Sequence, residues 1–193
     1  MDALRAALEK IVSLSDDEWS TFQSLLKKEI IPKNSFLLQP IEICRATYYI
    51  NQGLIRLYYV KDGEDKIRQF FFERSFFTDI TSFLTQQPTK LYLQAIEDTE
   101  LTTIPRDKLN QLYSSSPKFE RMGRMIAEYT ALGIANRMDS LFLYSPEERY
   151  LNLIRNRPRV SQRIPQYMVA SYLGVTPEGL SRIKRRVADQ ERS

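Results

Sequence analysis

The side chains of this 193-residue chain whose types and spacing could do chemistry lie near its end. Thr176, Pro177, Glu178, Ser181, Arg182, Lys184, Arg185 and Arg186 crowd hydroxyl, carboxylate and cationic groups into one short stretch. Three signals start a helix there: Thr176 offers a hydroxyl N-cap, Pro177 a fixed φ at the first helical position, and Glu178 a carboxylate in the positive first turn. With Leu180 and Ile183 turned toward a core, the polar set is left outward, a face suited to a DNA major groove and its flanking phosphates. That chemistry is recognition. Catalysis has little to work with, since the chain holds no histidine and a single cysteine, Cys44. Ser-His-Asp and Cys-His catalysis, histidine-held metals and haem, an intrachain disulfide and a four-cysteine iron–sulfur cluster within one chain are thereby excluded. The six glycines do not cluster into a phosphate-cradling loop. Cys44 reads as a small core residue, and no enzyme activity, metal or cofactor is expected.

The elements that must position this face are legible just upstream. Pro165 fixes φ where a preceding helix can start, and Gly174 supplies the positive φ where that helix must stop. Val169 and Leu173 on the first helix, Val175 in the turn, and Leu180 and Ile183 on the second meet in one small core, with Ala170 letting the helices approach. The stretch 166–185 therefore reads as a helix-turn-helix. Charge agrees: residues 146–193 hold ten Lys/Arg against five Asp/Glu, whereas residues 1–145 hold eighteen against nineteen. The net +4 thus resides with the motif, the electrostatic footprint of nucleic-acid contact.

The rest of the chain sorts by periodicity. A hydrophobic fraction of 42% and a charged fraction of 27% predict a water-soluble globular protein, and no run approaches the ~20 apolar residues of a membrane span. No secretory leader is evident, so the expected location is cytoplasmic. Leu4, Leu8, Ile11 and Val12 have helical spacing, and Ser15-Asp16-Asp17-Glu18 caps a second helix expected to run to about Lys28 with Trp19, Phe22, Leu25 and Leu26 buried. From Ser35 to about Ile104, short β-rich runs at 36–38, 47–50, 54–60, 66–72, 91–96 and 101–104 predict a sandwich or small barrel. Asn51-Gln52-Gly53 and Lys61-Asp62-Gly63-Glu64 are expected as hairpin turns, and 76–84 as a short helix. Pro105-Arg106-Asp107 opens another helix. The helix expected over 117–141 places Phe119, Met122, Ile126, Tyr129, Gly133 and Asn136 at coiled-coil spacing, with Met125, Leu132 and Met138 as a second apolar strip. It can pack on the barrel, pair with its copy, or do both; a symmetric homodimer is expected through Met122, Ile126, Tyr129 and Gly133. Ser145-Pro146-Glu147-Glu148 is a capping box that starts the last segment, followed by a basic connector at 155–159.

This order of parts resembles bacterial transcription regulators of the Crp/Fnr family. The likeness covers nearly the whole chain and is most specific at Asn51-Gln52-Gly53-Leu54-Ile55-Arg56 and from Ile164-Pro165-Gln166 through Leu180-Ser181-Arg182. It implies an α+β fold. An N-terminal cyclic-nucleotide-binding-like β-roll sensor, jelly-roll or double-stranded β-helix in type, would fill 1–116 with its helices. A dimerisation helix would follow at 117–141 and a DNA-binding domain at 142–193. It also implies double-stranded DNA with an inverted-repeat operator as partner, RNA polymerase as a second one, and an unknown small-molecule effector. Glu178 and Arg182 match the glutamate and arginine with which the family reads bases. Pro177 stands where the family's cyclic-AMP receptor has another base-contacting arginine, so the operator should differ, and no β-hairpin wing is expected after Ser193. The family's phosphate cassette, Gly-Glu followed about ten residues later by Arg-Ser or Arg-Thr, is replaced by Thr78-Asp79 and Thr89-Lys90. A cyclic phosphodiester needs a fork-like guanidinium, so cyclic AMP is not the expected effector. The roll then holds another ligand among Tyr49, Tyr58, Phe70, Phe72 and Tyr92, or is purely structural. The competing function is a β-roll ligand- or protein-binding module with only non-specific affinity for nucleic acid.

Overall fold

Between residues 27 and 105 the apolar–polar alternation becomes eight strands in two four-stranded sheets, ordered β1-β8-β3-β6 and β2-β7-β4-β5. The strands are β1 (Lys27–Ile31), β2 (Phe36–Leu38), β3 (Ala46–Gln52), β4 (Ile55–Lys61), β5 (Glu64–Phe71), β6 (Phe76–Phe77), β7 (Tyr92–Ala95) and β8 (Thr99–Pro105). Period-two alternation sends Ile50, Ile55, Leu57, Leu93, Ala95 and Leu101 to the space between the sheets, joined by Leu38 and Phe77. Each large side chain removed from water there contributes about 1.5–3 kcal/mol. Tyr49, next to Tyr48 on β3, points the other way into a second core with Leu4, Leu8, Trp19, Phe22, Ile104, Leu109 and Leu112. That core lies under α1 (Asp2–Glu9), α2 (Asp16–Ser24) and α4 (Arg106–Ser115), and the Tyr49 hydroxyl donates to Ala3 O at 3.2 Å. The computed structural model describes residues 2–190.

The chain divides into two compact units, one of Met1–Tyr59 with Gln69–Thr130, the other of Val60–Arg68 with Ala131–Ser193. The second contains α6 (Pro146–Asn156), α7 (Val160–Arg163), α8 (Gln166–Leu173), α9 (Pro177–Gln190) and the end of α5 (Pro117–Leu143). Among the described residues no helix is long and apolar enough to cross a membrane.

Four expectations need correction. The second helix stops at Ser24, and Lys27–Ile31 is instead β1, paired antiparallel with β8 from Lys27↔Thr103 to Ile31↔Thr99. Phe76 and Phe77 form β6, paired with Tyr49 and Tyr48, and only Ile80–Thr85 is helical (α3). Asn51-Gln52-Gly53 is not a hairpin turn, because β3 and β4 belong to different sheets. Gly53 there takes φ +109°, and a Cβ would lie 2.5 Å from Thr99 Oγ1 and 2.7 Å from Thr99 Cα, so no other residue fits. The second expected turn does make a hairpin, with Asp62 at φ +54° and Gly63 at φ +78°, as a primed two-residue turn requires. Finally, Phe119 and Met122 are buried in the core of the chain itself, Met122 at 1% exposure, and Ile126 packs against it. Phe119 and Met122 are thereby committed to the chain's own core, whereas Ile126 is half-buried. Tyr129, Leu132 and Gly133 are exposed.

Candidate nucleic-acid interface

Helix α8 ends where Gly174 turns to φ +70°, and its amide donates to Ser171 O at 3.1 Å while the Val175 amide donates to Ala170 O at 3.0 Å. This pair of bonds is the Schellman closure, which satisfies carbonyls that a helix end would otherwise orphan. Three residues later α9 begins with Pro177, and the Gly179 amide donates to the Thr176 hydroxyl at 3.1 Å, the N-cap read from the sequence. Val169, Ala170, Leu173, Leu180 and Ile183 are all buried. Met168, Val160, Ile164 and Val187 are buried as well.

Burial along α9 is one-sided. Leu180, Ile183 and Val187 face in, while Pro177, Glu178, Ser181, Arg182, Arg185 and Arg186 are exposed. Lys184 is half-buried, and the loss of hydration lowers its ammonium pKa from the ordinary value. Arg186 lies 3.5 Å from Glu147 on α6, which ties one cation of the set to the scaffold. Ser181 turns its hydroxyl back to Pro177 O at 3.1 Å. Glu178 is held below the ordinary carboxylate pKa, first by its own backbone N–H, then by the Thr176 hydroxyl and the nearby Arg182 cation. It is therefore an anion at neutral pH, able only to accept. A carboxylate acceptor and a guanidinium fork one helical turn apart are the groups that pair with cytosine N4 and with guanine O6 and N7.

The scaffold under this face uses residues that the sequence reading passed over. Arg149 on α6 donates to Leu173 O through Nε at 3.1 Å and Nη2 at 2.8 Å, and to Tyr144 O through Nη1 at 2.6 Å. It caps the C-terminus of α8 with a cation, favourable for both the free carbonyl and the helix dipole. No local pattern flags it, because the partner lies 24 positions away. The capping box at Ser145 and Glu148 forms as expected.

The residues expected to gather around an effector fall in separate parts of the roll. Tyr49 belongs to the core beneath the helices. Tyr58 stacks on Tyr92 with ring centroids 4.9 Å apart, and Arg56 lies 3.9 Å from the Tyr58 ring while donating twice to Gln94 Oε1. Arg56 and Tyr58 alternate along β4 with Ile55 and Leu57 of the core, so this cluster is on the opposite face of its sheet. Phe70 and Phe72 are buried, and they alternate with Phe71, which packs on the core between the sheets. Asp79 and Thr89 do come together, closed on one another, while Thr78 bonds elsewhere. Asp79 Oδ2 accepts from the Thr89 hydroxyl at 2.5 Å, and its Oδ1 accepts from the Ser82 amide at 3.4 Å. Thr78 donates to Ala46 O at 2.9 Å beside Cys44 Sγ. The backbone of Thr89 is paired too, donating to Glu42 O at 2.8 Å and accepting from the Ile41 amide at 3.1 Å. Lys90 is exposed. Between the sheets, Phe77 stacks on Tyr48 at 5.1 Å and on Phe71 at 4.9 Å.

Residues 28–116 match the cyclic nucleotide-binding domain family. The chain is 26% identical over 192 residues to the anaerobic regulatory protein of Haemophilus influenzae, covering 90% of this chain and 72% of the relative. In fold it is similar to FixK2 from Bradyrhizobium japonicum, with a TM-score of 0.74, 19% identity and 86% of each chain covered. It is likewise similar to a Eubacterium rectale protein assigned to the Crp/Fnr family of transcriptional regulators, with a TM-score of 0.69, 15% identity, and 92% of this chain and 85% of that one covered. The chain thus carries a cyclic nucleotide-binding domain over 28–116 and is similar in fold, over most of its length, to proteins of the Crp/Fnr family.

Proposed function

We infer that the protein is a homodimeric, sequence-specific DNA-binding transcription regulator whose roll does not respond to cyclic AMP. The observation that carries the DNA-reading part is the one-sided burial of α9. Leu180, Ile183 and Val187 anchor the helix, while Glu178, Arg182 and Arg185 remain exposed on a segment that holds the chain's excess positive charge. Glu178 and Arg182 carry base discrimination, Pro177 and Ser181 flank them, Thr176 caps the helix, and Arg185 holds the flanking phosphates, Lys184 being half-buried and Arg186 drawn to Glu147. Two copies of this face read an inverted repeat whose half-sites lie one duplex turn apart, ~34–36 Å. The copies pair through the exposed stretch of α5 at Tyr129, Leu132 and Gly133.

The reading on cyclic AMP rests on charge. A buried cyclic phosphodiester needs a guanidinium to offset its negative charge, and at this place Thr89 offers only a hydroxyl that Asp79 already holds. Selection of bound duplexes from a random library is the direct test. A two-fold symmetric consensus is expected. Enrichment without any consensus would leave only charge-driven affinity and refute base reading.

A further inference from the structure

The tip of the β4–β5 hairpin and the helix-turn-helix lie in one compact unit, Val60–Arg68 with Ala131–Ser193. Strand β5 is the last in its sheet, so the outward backbone groups along it have no strand to pair with. Ser171 on α8 meets two of them at once. Its hydroxyl donates to Asp65 O at 2.6 Å, and the same oxygen accepts from the Ile67 amide at 3.0 Å. Two residues apart on a strand, those groups face the same way, and one hydroxyl spans them as a neighbouring strand would. Arg137 on α5 adds a second grip. Its guanidinium donates to Tyr172 O at the end of α8, reaches Arg68 O at 3.4 Å, and stacks 3.8 Å from the Tyr172 ring. Meanwhile Glu178, Ser181, Arg182 and Arg185 stay exposed, so the grip leaves the reading face open.

We propose that the hairpin tip is a structural part of the DNA-reading head. Ser171 and Arg137 are then positioning residues, clasping α8 to the edge of β5 and holding the recognition helix in its productive orientation. This rests on the DNA-reading function inferred above. A loosened clasp leaves the cationic face intact, so contact with phosphates persists while the fit to base edges suffers. A lost phosphate contact weakens all duplexes alike, whereas a lost clasp weakens only the selected one.

The test uses the full-length protein with Ser171→Ala, Ser171→Thr and Arg137→Gln. It measures amide exchange over residues 64–68 and α8, and affinities for a library-selected and a scrambled duplex. Ser171→Ala should speed exchange of the Ile67 amide and weaken binding to the selected duplex roughly three- to tenfold. Affinity for the scrambled duplex should be unchanged, and Ser171→Thr, which keeps the hydroxyl, should restore both readouts. Arg137→Gln should resemble Ser171→Ala. Unchanged exchange at Ile67 in Ser171→Ala would overturn the clasp. Faster exchange with equal or tighter binding to the selected duplex would overturn the positioning role, as would equal losses on both duplexes. If the wild-type protein itself fails to distinguish the duplexes, base reading and the positioning role fall together, while the exchange measurement still decides the clasp.

Discussion

Replacing Gly174 by alanine isolates the pivot of the helix-turn-helix, because the structure separates conformational cost from steric cost at that position. Gly174 sits at φ +70° and ψ +34°. A Cβ placed there meets only Arg149 Nη2, at 3.8 Å, an ordinary contact. The cost is then that of holding an L-residue in the left-handed region, about 1–2 kcal/mol. If the backbone escaped to a right-handed conformation, it would lose the amide bonds of Gly174 and Val175 to Ser171 O and Ala170 O, each contributing about 1 kcal/mol net. Both routes lead to about the same loss. Native-state amide exchange of α8 and α9 is the appropriate assay, and a loss of that size speeds exchange from sub-global opening roughly five- to thirtyfold. Trp19 lies in the first unit, so its fluorescence during urea unfolding serves as an internal control and should not change. Gly174→Asn should lose less, since asparagine tolerates this conformation. Exchange as slow as wild type in Gly174→Ala, or equal losses for alanine and asparagine, would refute the reasoning.

Three further outcomes are expected. Arg182→Ala should cost roughly 1–3 kcal/mol on the selected duplex and relax base preference, whereas Arg185→Ala should weaken all duplexes alike and reduce the slope of log affinity against log salt by about one; equal losses for Arg182→Ala on selected and scrambled duplexes would remove its base-reading role. Leu132→Glu, a charge placed on the exposed stretch of α5, should convert a sedimenting dimer to monomer, while an unchanged dimer would move the interface elsewhere. Calorimetry with cyclic AMP and cyclic GMP should show no micromolar binding; binding at that level would mean that the Asp79–Thr89 closure opens for a nucleotide.

The parts of the fold that were legible are those whose causes are local. Ser15 with Glu18, Ser145 with Glu148, Thr176 with Pro177, and Gly174 each carry their reason within four residues, so the ends of α2, α6, α8 and α9 could be read from types and spacing. Strand β1 could not. Lys27-Lys28-Glu29 continues the charged surface of the preceding helix, and only pairing with Thr99–Thr103, about seventy residues on, makes the segment extended. The same limit applies to the roll's aromatics. Residue type marks Tyr49, Tyr58, Phe70 and Tyr92 as suited to a ligand, but strand parity and sheet order decide which face each one meets. Three of these four positions are committed to other contacts: Tyr49 to the helical core, and Tyr58 and Tyr92 to each other.

The seam on α5 shows how a correct period can still misplace an interface. Phe119, Met122 and Ile126 have the spacing of knobs, yet a helical stripe does not state which surface it faces, and the core with Leu109 and Leu112 takes all three. What distinguishes them from Tyr129 and Leu132 is position along the helix rather than chemistry. A comparable ambiguity surrounds the cations. Arg149, Arg137 and Arg182 are equivalent in composition, but Arg149 closes α8 through Leu173 O and Arg137 through Tyr172 O, while Arg182 is exposed. A count of positive charge near the C-terminus therefore overstates what is available to phosphates. The cations that remain for DNA are those whose helix turns them away from every carbonyl and carboxylate of the scaffold. On α9 that condition singles out Arg182 and Arg185, leaving Lys184 half-buried and Arg186 beside Glu147.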